Sequence, residues 1–279
     1  MSGEIVAGKK IKKIYSKLVS EMDDSSLPFY FDEKKADRPI EFIETFCKQA
    51  EGKMGEPIEL ELFQKAYIQA LFGFLYRDTK TRRFNETLLL MARKNGKTTL
   101  LSAIALYMMI ADGEGSAECY SVATKKDQAS KCFKSACAMR TQSPEIRAVV
   151  SKRRTDMYMP STFSSFEPLS SDSNTLDGLN SHLVVIDELH AIRDRNLYDV
   201  MKQSTSSRRQ PLVVMITTAG TVRECIFDDI YSYANNVLDG IVKNDSFLPI
   251  LYEQDDEAEW KNIKMWSKSN PAIRNYQTI

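Results

Sequence analysis

The chain has 279 residues, 43% of them hydrophobic, which is enough for one large domain with a sizeable core. Its 38 basic and 38 acidic side chains give a net charge of zero, which excludes a global electrostatic attraction to nucleic acid. Any contact with DNA must therefore come from local patches. The five cysteines form no C-x-x-C pair and only two histidines are present, so we expect reduced thiols and no structural zinc.

Residues 1–57 form the first segment, which we interpret as a peripheral helical extension. Its opening sequence MSGEIVAGKKIKKIYSKL lacks the apolar segment of a signal peptide. The lysines between Lys9 and Lys17 indicate a solvated helix face, with a DNA-binding patch as the alternative.

The longest near-apolar run of the chain, Leu100–Ala111, has about 12 residues and is too short to cross a bilayer. We therefore expect no membrane partner.

The next segment, 58–250, is predicted to be the core domain. It begins with a helix over Leu62–Tyr76, in which apolar side chains recur at i+4 spacing. Residues 251–279 are then interpreted as the start of a lid or linker.

The sequence from Glu86 to Ala111, ETLLLMARKNGKTTLLSAIALYMMIA, predicts a buried strand, a basic turn and an apolar helix. Such a turn directs backbone N–H groups and the positive end of the helix dipole at one point, which favours an anion. Lys97 would add charge for the β- and γ-phosphates, and the Thr98 hydroxyl could ligate Mg²⁺. The G-x-x-x-x-G-K-[ST] pattern is incomplete, because Met91 replaces its first glycine. The alternative is a basic surface turn. The candidate nucleotide-binding residues of this turn are Arg93, Lys94, Asn95, Gly96, Lys97, Thr98 and Thr99.

The part of the chain after this helix is predicted to contain a strand, a second helix and a polar segment. The strand covers Ala117–Ala123, and the helix runs from Lys125 to Arg140 with Thr124 as its cap. Ser143–Asn180 is rich in Ser, Thr, Asp and Pro and is predicted to hold a short hairpin around Met157–Phe166. Within it, the basic run Lys152–Arg154 is interpreted as a solvated loop, with DNA-backbone contact as the alternative.

A second buried strand ends in acidic residues. Leu183–Ile186 is a continuous apolar run followed by Asp187 and Glu188, as expected for a central parallel strand. Ligands of open α/β sheets bind outside the carboxyl ends of the strands, so these acids would lie on the same edge as the basic turn. One acid can hold Mg²⁺ and the other can polarise the attacking water. The alternative is a helix amino terminus with acids that complement its dipole.

A third buried strand, Leu212–Ile216, ends in Thr217 and Thr218, whose hydroxyls could sense the γ-phosphate or simply cap a helix. Before it, Arg208 and Arg209 could form an arginine finger that reaches a neighbouring subunit, with two solvated arginines as the alternative.

Helices are predicted over Asn196–Ser207, Glu224–Leu238 and Glu257–Lys264. Alternating strands and helices predict an α/β fold with a mostly parallel sheet covered by helices on both faces.

The motifs ARKNGKTT, YSVATKKDQASKCF, DGLNSHLVVIDELHAI and RRQPLVVMITTAG, taken together, resemble the large terminase subunit of tailed bacteriophages, in the HK97-like branch. The resemblance runs from about Leu60 to Pro271 and implies a P-loop NTPase fold of the RecA/ASCE-like type that binds ATP and Mg²⁺. It implies that Lys97 and Thr98 bind phosphate and Mg²⁺, that Asp187 coordinates Mg²⁺ and that Glu188 is the catalytic base. It also makes Thr217-Thr218 the coupling motif and Gln64 the adenine contact, although Phe63 stands where relatives have tryptophan.

The same resemblance implies a motor that packages double-stranded DNA into a procapsid in the host cytoplasm. Its expected partners are the portal protein, the small terminase subunit and further copies of the chain in a ring, with a monomer in isolation. Terminases of this kind have a nuclease domain after the motor, and after Asn270-Pro271 this sequence leaves no room for one. We therefore expect no DNA cleavage by this chain, and we interpret the acidic run Glu253–Glu259 as a solvated loop.

Two other functions fit parts of the sequence. Asp187-Glu188-Leu189-His190 spells the DExH box of superfamily 2 helicases, but the chain after Gly220 is too short for the second RecA-like domain that such helicases need. A nucleotide-gated assembly module that binds ATP without useful turnover is the remaining alternative. DNA-stimulated ATPase activity and a strand-separation assay would distinguish the three.

Overall fold

A computed structural model describes residues 6–170, 176, 178–192, 195–220 and 225–273. Its α-helices are α1 Lys9–Met22, α2 Glu33–Phe46, α3 Leu62–Gly73, α4 Lys97–Ile110, α5 Lys126–Gln142, α6 Pro144–Val149, α7 Arg195–Gln203 and α8 Ile226–Leu238. Its strands are β1 Phe29–Phe31, β2 Phe74–Tyr76, β3 Glu86–Leu90, β4 Glu118–Ala123, β5 Ser151–Lys152, β6 Met157–Met159, β7 Ser164–Ser170, β8 Ser181–Asp187, β9 Leu212–Thr217 and β10 Phe247–Leu251.

The main sheet has the strand order β10-β3-β9-β8-β4-β7-β6-β5, and a small antiparallel pair of β1 and β2 lies apart from it. Strands β10, β3, β9, β8, β4 and β7 are parallel, whereas β6 and β5 are antiparallel to their neighbours. The carboxyl ends of the six parallel strands therefore lie on one edge of the sheet. This topology confirms the predicted α/β fold with a mostly parallel sheet.

Both faces of the sheet are buried, as predicted. Along each central strand, neighbouring residues belong to different cores because successive side chains point to opposite faces. Leu89 and Val185 lie in the core beneath α2–α5, whereas Leu88 and Val184 lie in the core that α7 and α8 cover. Among the described residues, no helix has both the length and the apolarity needed to cross a membrane.

The amino-terminal residues pack against the core domain. Ile14 of α1 and Ile43 of α2 are buried in the same core as α4. Arg83, just before β3, is also buried; its guanidinium lies 3.5 Å from the centre of the Phe29 ring and 2.7 Å from the Glu21 carboxylate. Residues from the 1–57 segment thus share one hydrophobic core with the sheet.

Strands β1, β2, β5 and β10 were not predicted from the sequence, and two strands of the main sheet, β7 and β10, contain a proline. Pro249 lies in β10, the edge strand beside β3, and edge strands tolerate a residue without an N–H donor. Pro168 lies in β7, beyond the stretch of β7 that pairs with β6. The predicted hairpin around Met157–Phe166 is present as β6 and the start of β7, but β7 also extends the parallel sheet beside β4.

Several helix boundaries also differ from the prediction. The helix predicted over Leu62–Tyr76 stops at Gly73, because Phe74–Tyr76 pairs with β1 and a Cβ at Gly73 would lie 2.4 Å from the Phe31 ring. Helix α5 has Lys125 as its N-cap in place of Thr124. In the carboxyl-terminal segment, two 3₁₀ turns, Glu257–Lys261 and Ile263–Lys268, replace the predicted helix. The predicted start of α8 at Glu224 lies outside the described residues.

The acidic run Glu253–Glu259 differs from the solvated loop that we expected. Lys268 Nζ lies 2.7 Å from Asp255 and 2.6 Å from Glu259, and the Asp255 carboxylate also accepts the Lys9 N–H. Glu253 pairs with Lys10 at 2.5 Å. These contacts fold residues 253–268 back onto the amino terminus. We call residues 253–268 the cap.

Candidate functional site

The predicted site residues of three strands meet at the carboxyl edge of the sheet. Leu90, the last residue of β3, lies beside Thr217, the last residue of β9, and the Met91 N–H donates to the Thr217 carbonyl at 3.3 Å. Asp187, at the end of β8, lies in register with Ile216 of β9. The basic turn, the acids and the threonines are therefore close neighbours, as the sequence predicted.

The turn between β3 and α4, residues 91–96, has the backbone shape of a phosphate-binding loop. Gly96 and Lys94 both have positive φ, 69° and 66°, and α4 begins at the next residue, Lys97. A Cβ at Gly96 would lie 3.2 Å from the Gln64 side-chain nitrogen, so a larger residue there would meet both strain and crowding. The free N–H groups of the first turn of α4 point out of this loop, which favours an anion.

The Lys97 side chain folds back into the loop. Its ammonium donates to the Ala92 carbonyl at 2.7 Å and to the Met91 carbonyl at 3.2 Å. Burial lowers the pKa of Lys97 to about 8, although the nearby Asp187 acts in the opposite direction. The ammonium, held by these two backbone carbonyls, is positioned to exchange them for phosphate oxygens.

The remaining turn residues divide into exposed and buried side chains. Arg93, Lys94 and Thr99 are exposed, and Thr98 is half-buried. Asn95 is buried, and its amide donates to the carbonyls of Ala92 and Arg93 and to the Asn270 side chain. The side chain of Asn95 therefore bonds protein groups, so a nucleotide contact by this side chain would require one of these bonds to be exchanged.

The two acids at the end of β8 differ in environment. Burial and the adjacent Glu188 raise the pKa of Asp187, whose carboxylate accepts the Glu188 N–H at 2.8 Å. Glu188 has left-handed backbone dihedrals, φ 55° and ψ 49°, which cost about 1–2 kcal/mol in a non-glycine residue. Such strain is concentrated at functional sites. The residue that follows starts a short 3₁₀ turn, Leu189–Ala191, so the acids do not cap an α-helix.

Two residues that sequence reasoning missed contact Glu188 from α5. Gln128 donates to the Glu188 carboxylate at 2.7 Å, and the Lys131 ammonium lies 3.9 Å from it. A signal was available in the sequence, because α5 follows β4 and therefore begins at the same edge of the sheet. The spacing of three residues also places Gln128 and Lys131 on one face of the helix.

His190 connects the acidic strand end to the predicted coupling motif. Its Nδ1 lies 2.8 Å from the buried Thr217 hydroxyl, and its backbone N–H also points to this hydroxyl, at 3.3 Å. The Thr217 hydroxyl in turn bonds the Thr218 carbonyl at 2.9 Å. A Cβ at Gly220 would lie 2.8 Å from the His190 side chain, so this glycine permits the contact. His190 is thus a packed residue between the two strand ends.

A cavity of about 640 Å³ lies beside the loop, between the starts of α3 and α4 and the middle of α5. Gln64 lines it, and because the Gln64 Oε1 accepts the Glu61 N–H, its amide nitrogen is left to donate. Phe63 also lines the cavity and contacts Tyr252 edge to face. Thr98, Lys131 and Lys134 line the same cavity. The cavity has room for a nucleoside next to the loop.

The structure does not bring Arg208 and Arg209 to this site. Both precede β9, so they lie at the amino edge of the sheet, about 20 Å of strand away from Thr217. The Arg208 guanidinium is 7% exposed and bonds Glu114 and the carbonyls of Gly115, Ser116 and Asn180. This burial corrects the expectation that Arg208 projects toward a neighbour. Arg209 is exposed and bonds the Thr79 carbonyl.

No cluster of three or more His, Cys, Asp or Glu side chains that could hold a metal occurs in the described parts of the chain. The oxygen ligands available at the carboxyl edge are the Thr98 hydroxyl and the Asp187 carboxylate. Hard oxygen ligands of this kind suit Mg²⁺, which keeps several waters and is usually completed by substrate phosphates.

The parallel sheet, the loop that leads into α4 and the acids at the neighbouring strand end define a P-loop NTPase. The family model for the terminase large subunit, ATPase domain, matches residues 62–236. The chain therefore belongs to the terminase large-subunit ATPase-domain family, as its sequence motifs predicted.

Curated relatives match over most of the chain, among them two phage terminases. The large terminase subunit of Enterobacteria phage HK97 is 25% identical over 252 residues, which are 88% of this chain and 47% of the relative. The large terminase subunit of Lactococcus phage p2 is 22% identical over 277 residues, 96% of this chain and 50% of the relative. The chain thus spans about half the length of these relatives.

Solved structures support the same fold. The crystal structure of the HK97 large terminase superimposes with a TM-score of 0.74 at 23% identity, over 88% of this chain and 49% of that one. The ATPase domain of the Thermus phage P74-26 large terminase gives a TM-score of 0.53 at 16% identity, over 80% of this chain and 98% of that one.

Proposed function

We propose that this chain is the ATP-hydrolysing motor domain of a DNA-packaging terminase, which uses ATP to move double-stranded DNA into a procapsid. The observation that supports this most directly is the meeting of Lys97, Asp187, Glu188 and Thr217 at one edge of the sheet, in a chain of the terminase family. Hydrolysis at such a site depends on positioning and charge neutralisation, with little covalent chemistry by the protein.

In this proposal each residue has a role that its position supports. The α4 amino terminus and Lys97 bind the phosphates, while Arg93 and Lys94 add positive charge at the exposed side of the loop. Gln64 donates to the base in the cavity. Thr98 and Asp187 hold Mg²⁺, which neutralises charge on the phosphates when bound. Glu188 accepts a proton from the attacking water.

The hydroxyl of Thr217 offers a route by which loss of the γ-phosphate reaches the rest of the protein. This hydroxyl contacts His190, which follows the acidic strand, while the carbonyl of the same residue accepts the Met91 N–H of the loop. Thr217 and Thr218 therefore act as the coupling motif in this proposal. The expected partners are double-stranded DNA, a portal protein, a small terminase subunit and further copies of the chain in a ring, in the host cytoplasm. Arg209 remains a candidate for contact with a neighbouring copy.

An ATPase assay with DNA tests this function. We expect slow hydrolysis of ATP by the purified chain and faster hydrolysis when linear double-stranded DNA and a portal assembly are added. Separation of a fluorescent duplex in the same mixture would favour the helicase alternative. ATP binding without turnover under any of these conditions would favour the assembly module, and absence of binding would contradict all three.

The pKa of Lys97 predicts how ATP affinity depends on pH. Because a bound phosphate favours the charged ammonium and burial lowers the pKa of Lys97 to about 8, binding above this pH requires proton uptake. We expect the affinity to be constant below about pH 8 and to fall about tenfold per pH unit above it, until the higher pKa of the complex is reached. ATP itself does not titrate in this range, since its phosphates have a pKa of about 6.

Isothermal titration calorimetry in two buffers of different ionisation enthalpy measures this uptake directly. At about pH 9, uptake approaching one proton is expected. Equal affinities at about pH 7.5 and about pH 9.5, with no proton uptake, would show that Lys97 does not gain its charge from the nucleotide.

A further inference from the structure

Asn95 differs from the exposed residues of the phosphate-binding loop because its side chain is buried and hydrogen-bonded within the protein, at the border of the cavity. It is 3% exposed, and its Nδ2 donates to the Ala92 and Arg93 carbonyls at 3.1 Å each. The same nitrogen lies 3.0 Å from the Asn270 Oδ1, and the Asn95 Oδ1 accepts the Ala272 N–H at 3.1 Å. These partners fix the orientation of the Asn95 amide. If the amide were flipped, its oxygen would face three acceptor oxygens and its nitrogen would face the Ala272 N–H donor.

A third bond, between backbone groups, joins the same two parts of the chain. The Ala92 N–H donates to the Ser269 carbonyl at 3.0 Å. Residues 269–272, which directly follow the cap, therefore bond the loop at two points, one in the backbone and one through Asn95. We call residues 269–272 the strap. Asn270 is itself anchored to the cap, because its N–H donates to the Trp266 carbonyl at 2.9 Å.

The strap and the Lys97 side chain both bond Ala92 of the loop. The Ala92 carbonyl accepts from both Asn95 and the Lys97 ammonium. When Lys97 moves to a phosphate, this carbonyl keeps its bond to Asn95, so the loop need not refold around an unpaired buried acceptor. Any shift of the loop on phosphate binding also moves Asn95, and with it the strap.

We propose that Asn95 and Asn270 are a positioning pair that holds the phosphate-binding loop in shape and couples nucleotide binding to the position of the strap and the cap. The proposal rests on the proposed function, because it requires nucleotide to bind at this loop. Linkage requires the coupling to be reciprocal, so an event that displaces the strap must also weaken nucleotide binding.

The chain has an intrinsic reporter for this coupling. Both of its tryptophans, Trp260 and Trp266, lie in the cap, and the Trp266 indole donates to the Trp260 carbonyl at 2.7 Å. Tryptophan fluorescence therefore reports on the cap and not on the loop itself. We expect MgADP to change the fluorescence of the parental chain with the same midpoint that calorimetry gives for binding.

The test variant is Asn270→Ala, and Asn262→Ala is its matched control. Asn262 belongs to the same cap and caps its second 3₁₀ turn by accepting the Lys264 N–H, with no bond to the loop among those described. We expect Asn270→Ala to bind MgADP about tenfold more weakly, in line with one lost buried hydrogen bond. Its fluorescence response at saturation should be smaller than that of the parental chain, while the bonds of Ser269 and Ala272 to the loop remain. Asn262→Ala should keep both the affinity and the response.

Hydrogen exchange of the parental chain gives a measurement that needs no variant. The Ala92 and Ala272 amides, which form the two sides of the contact, should exchange at least about tenfold more slowly with MgADP bound. Calorimetric binding with unchanged fluorescence and unchanged exchange at both amides would overturn the coupling while leaving the nucleotide site intact. Absence of any binding heat would instead contradict the proposed function, and the coupling with it. Equal affinity and equal fluorescence response in Asn270→Ala and the parental chain would also overturn the pair.

Discussion

Replacing Lys97 with alanine is expected to abolish detectable ATP binding and to reduce turnover by more than about 100-fold, because the charge that meets the phosphates is lost. The fold should survive. Lys97 is only half-buried, and of the two carbonyls that it contacts, that of Ala92 keeps the Asn95 amide as a donor.

The comparison that isolates this effect uses Lys243→Ala. Lys243 is exposed and precedes β10 at the amino edge of the sheet, so its removal changes the net charge equally without touching the loop. Nucleotide binding by calorimetry, phosphate release and thermal melting should be measured for both variants. Hydrolysis by Lys97→Ala at the parental rate would show that the phosphate-binding loop has been misassigned.

Glu188→Gln is expected to bind ATP with nearly parental affinity and to hydrolyse it about 10²–10⁴-fold more slowly. Glutamine keeps the size and polarity of the side chain and can still accept from Gln128, but it cannot take a proton from water. The strained backbone at Glu188 also remains, so the change is confined to proton transfer and to the charge next to Lys131.

Asp187→Asn separates the roles of the two acids. If Asp187 holds Mg²⁺, this variant should need more metal to reach half-maximal rate, whereas Glu188→Gln should keep the parental metal dependence. Single-turnover measurements over a range of Mg²⁺ concentrations would distinguish them. An exposed acid of the cap, Glu257, provides the control Glu257→Gln, which should behave like the parental chain. Weak binding by Glu188→Gln with normal turnover of the bound ATP would contradict its role as the base.

The contact between Gln128 and Glu188 bears on these kinetics. In the structure the carboxylate that should face the attacking water bonds an amide of α5. This bond uses one acceptor site of the Oε2 oxygen and leaves further acceptor sites on both carboxylate oxygens for the attacking water.

The sequence by itself determined which residues meet at the carboxyl edge of the sheet. Lys97, Asp187 and Thr217 each follow a buried apolar run, and the carboxyl ends of parallel strands share one edge, so local pattern and one topological rule were enough to place them together. The α/β class followed from the same alternation of strands and helices. Both inferences need only short-range information.

Only the tertiary structure decided the features that depend on contacts between distant parts of the chain. Proline has no N–H to donate, so sequence rules do not predict strands that contain Pro168 or Pro249. The place of each strand in the sheet leaves no ladder bond for the proline nitrogen to make. Arg208 is the residue type that an arginine finger requires, but the topology puts it at the opposite edge of the sheet. There its side chain is buried, and its guanidinium bonds other groups of the same chain. The bond between Asn95 and Asn270 joins residues 175 positions apart. Such pairs leave no periodic signal in the sequence, because their geometry exists only after the sheet has brought the loop and the carboxyl-terminal segment together.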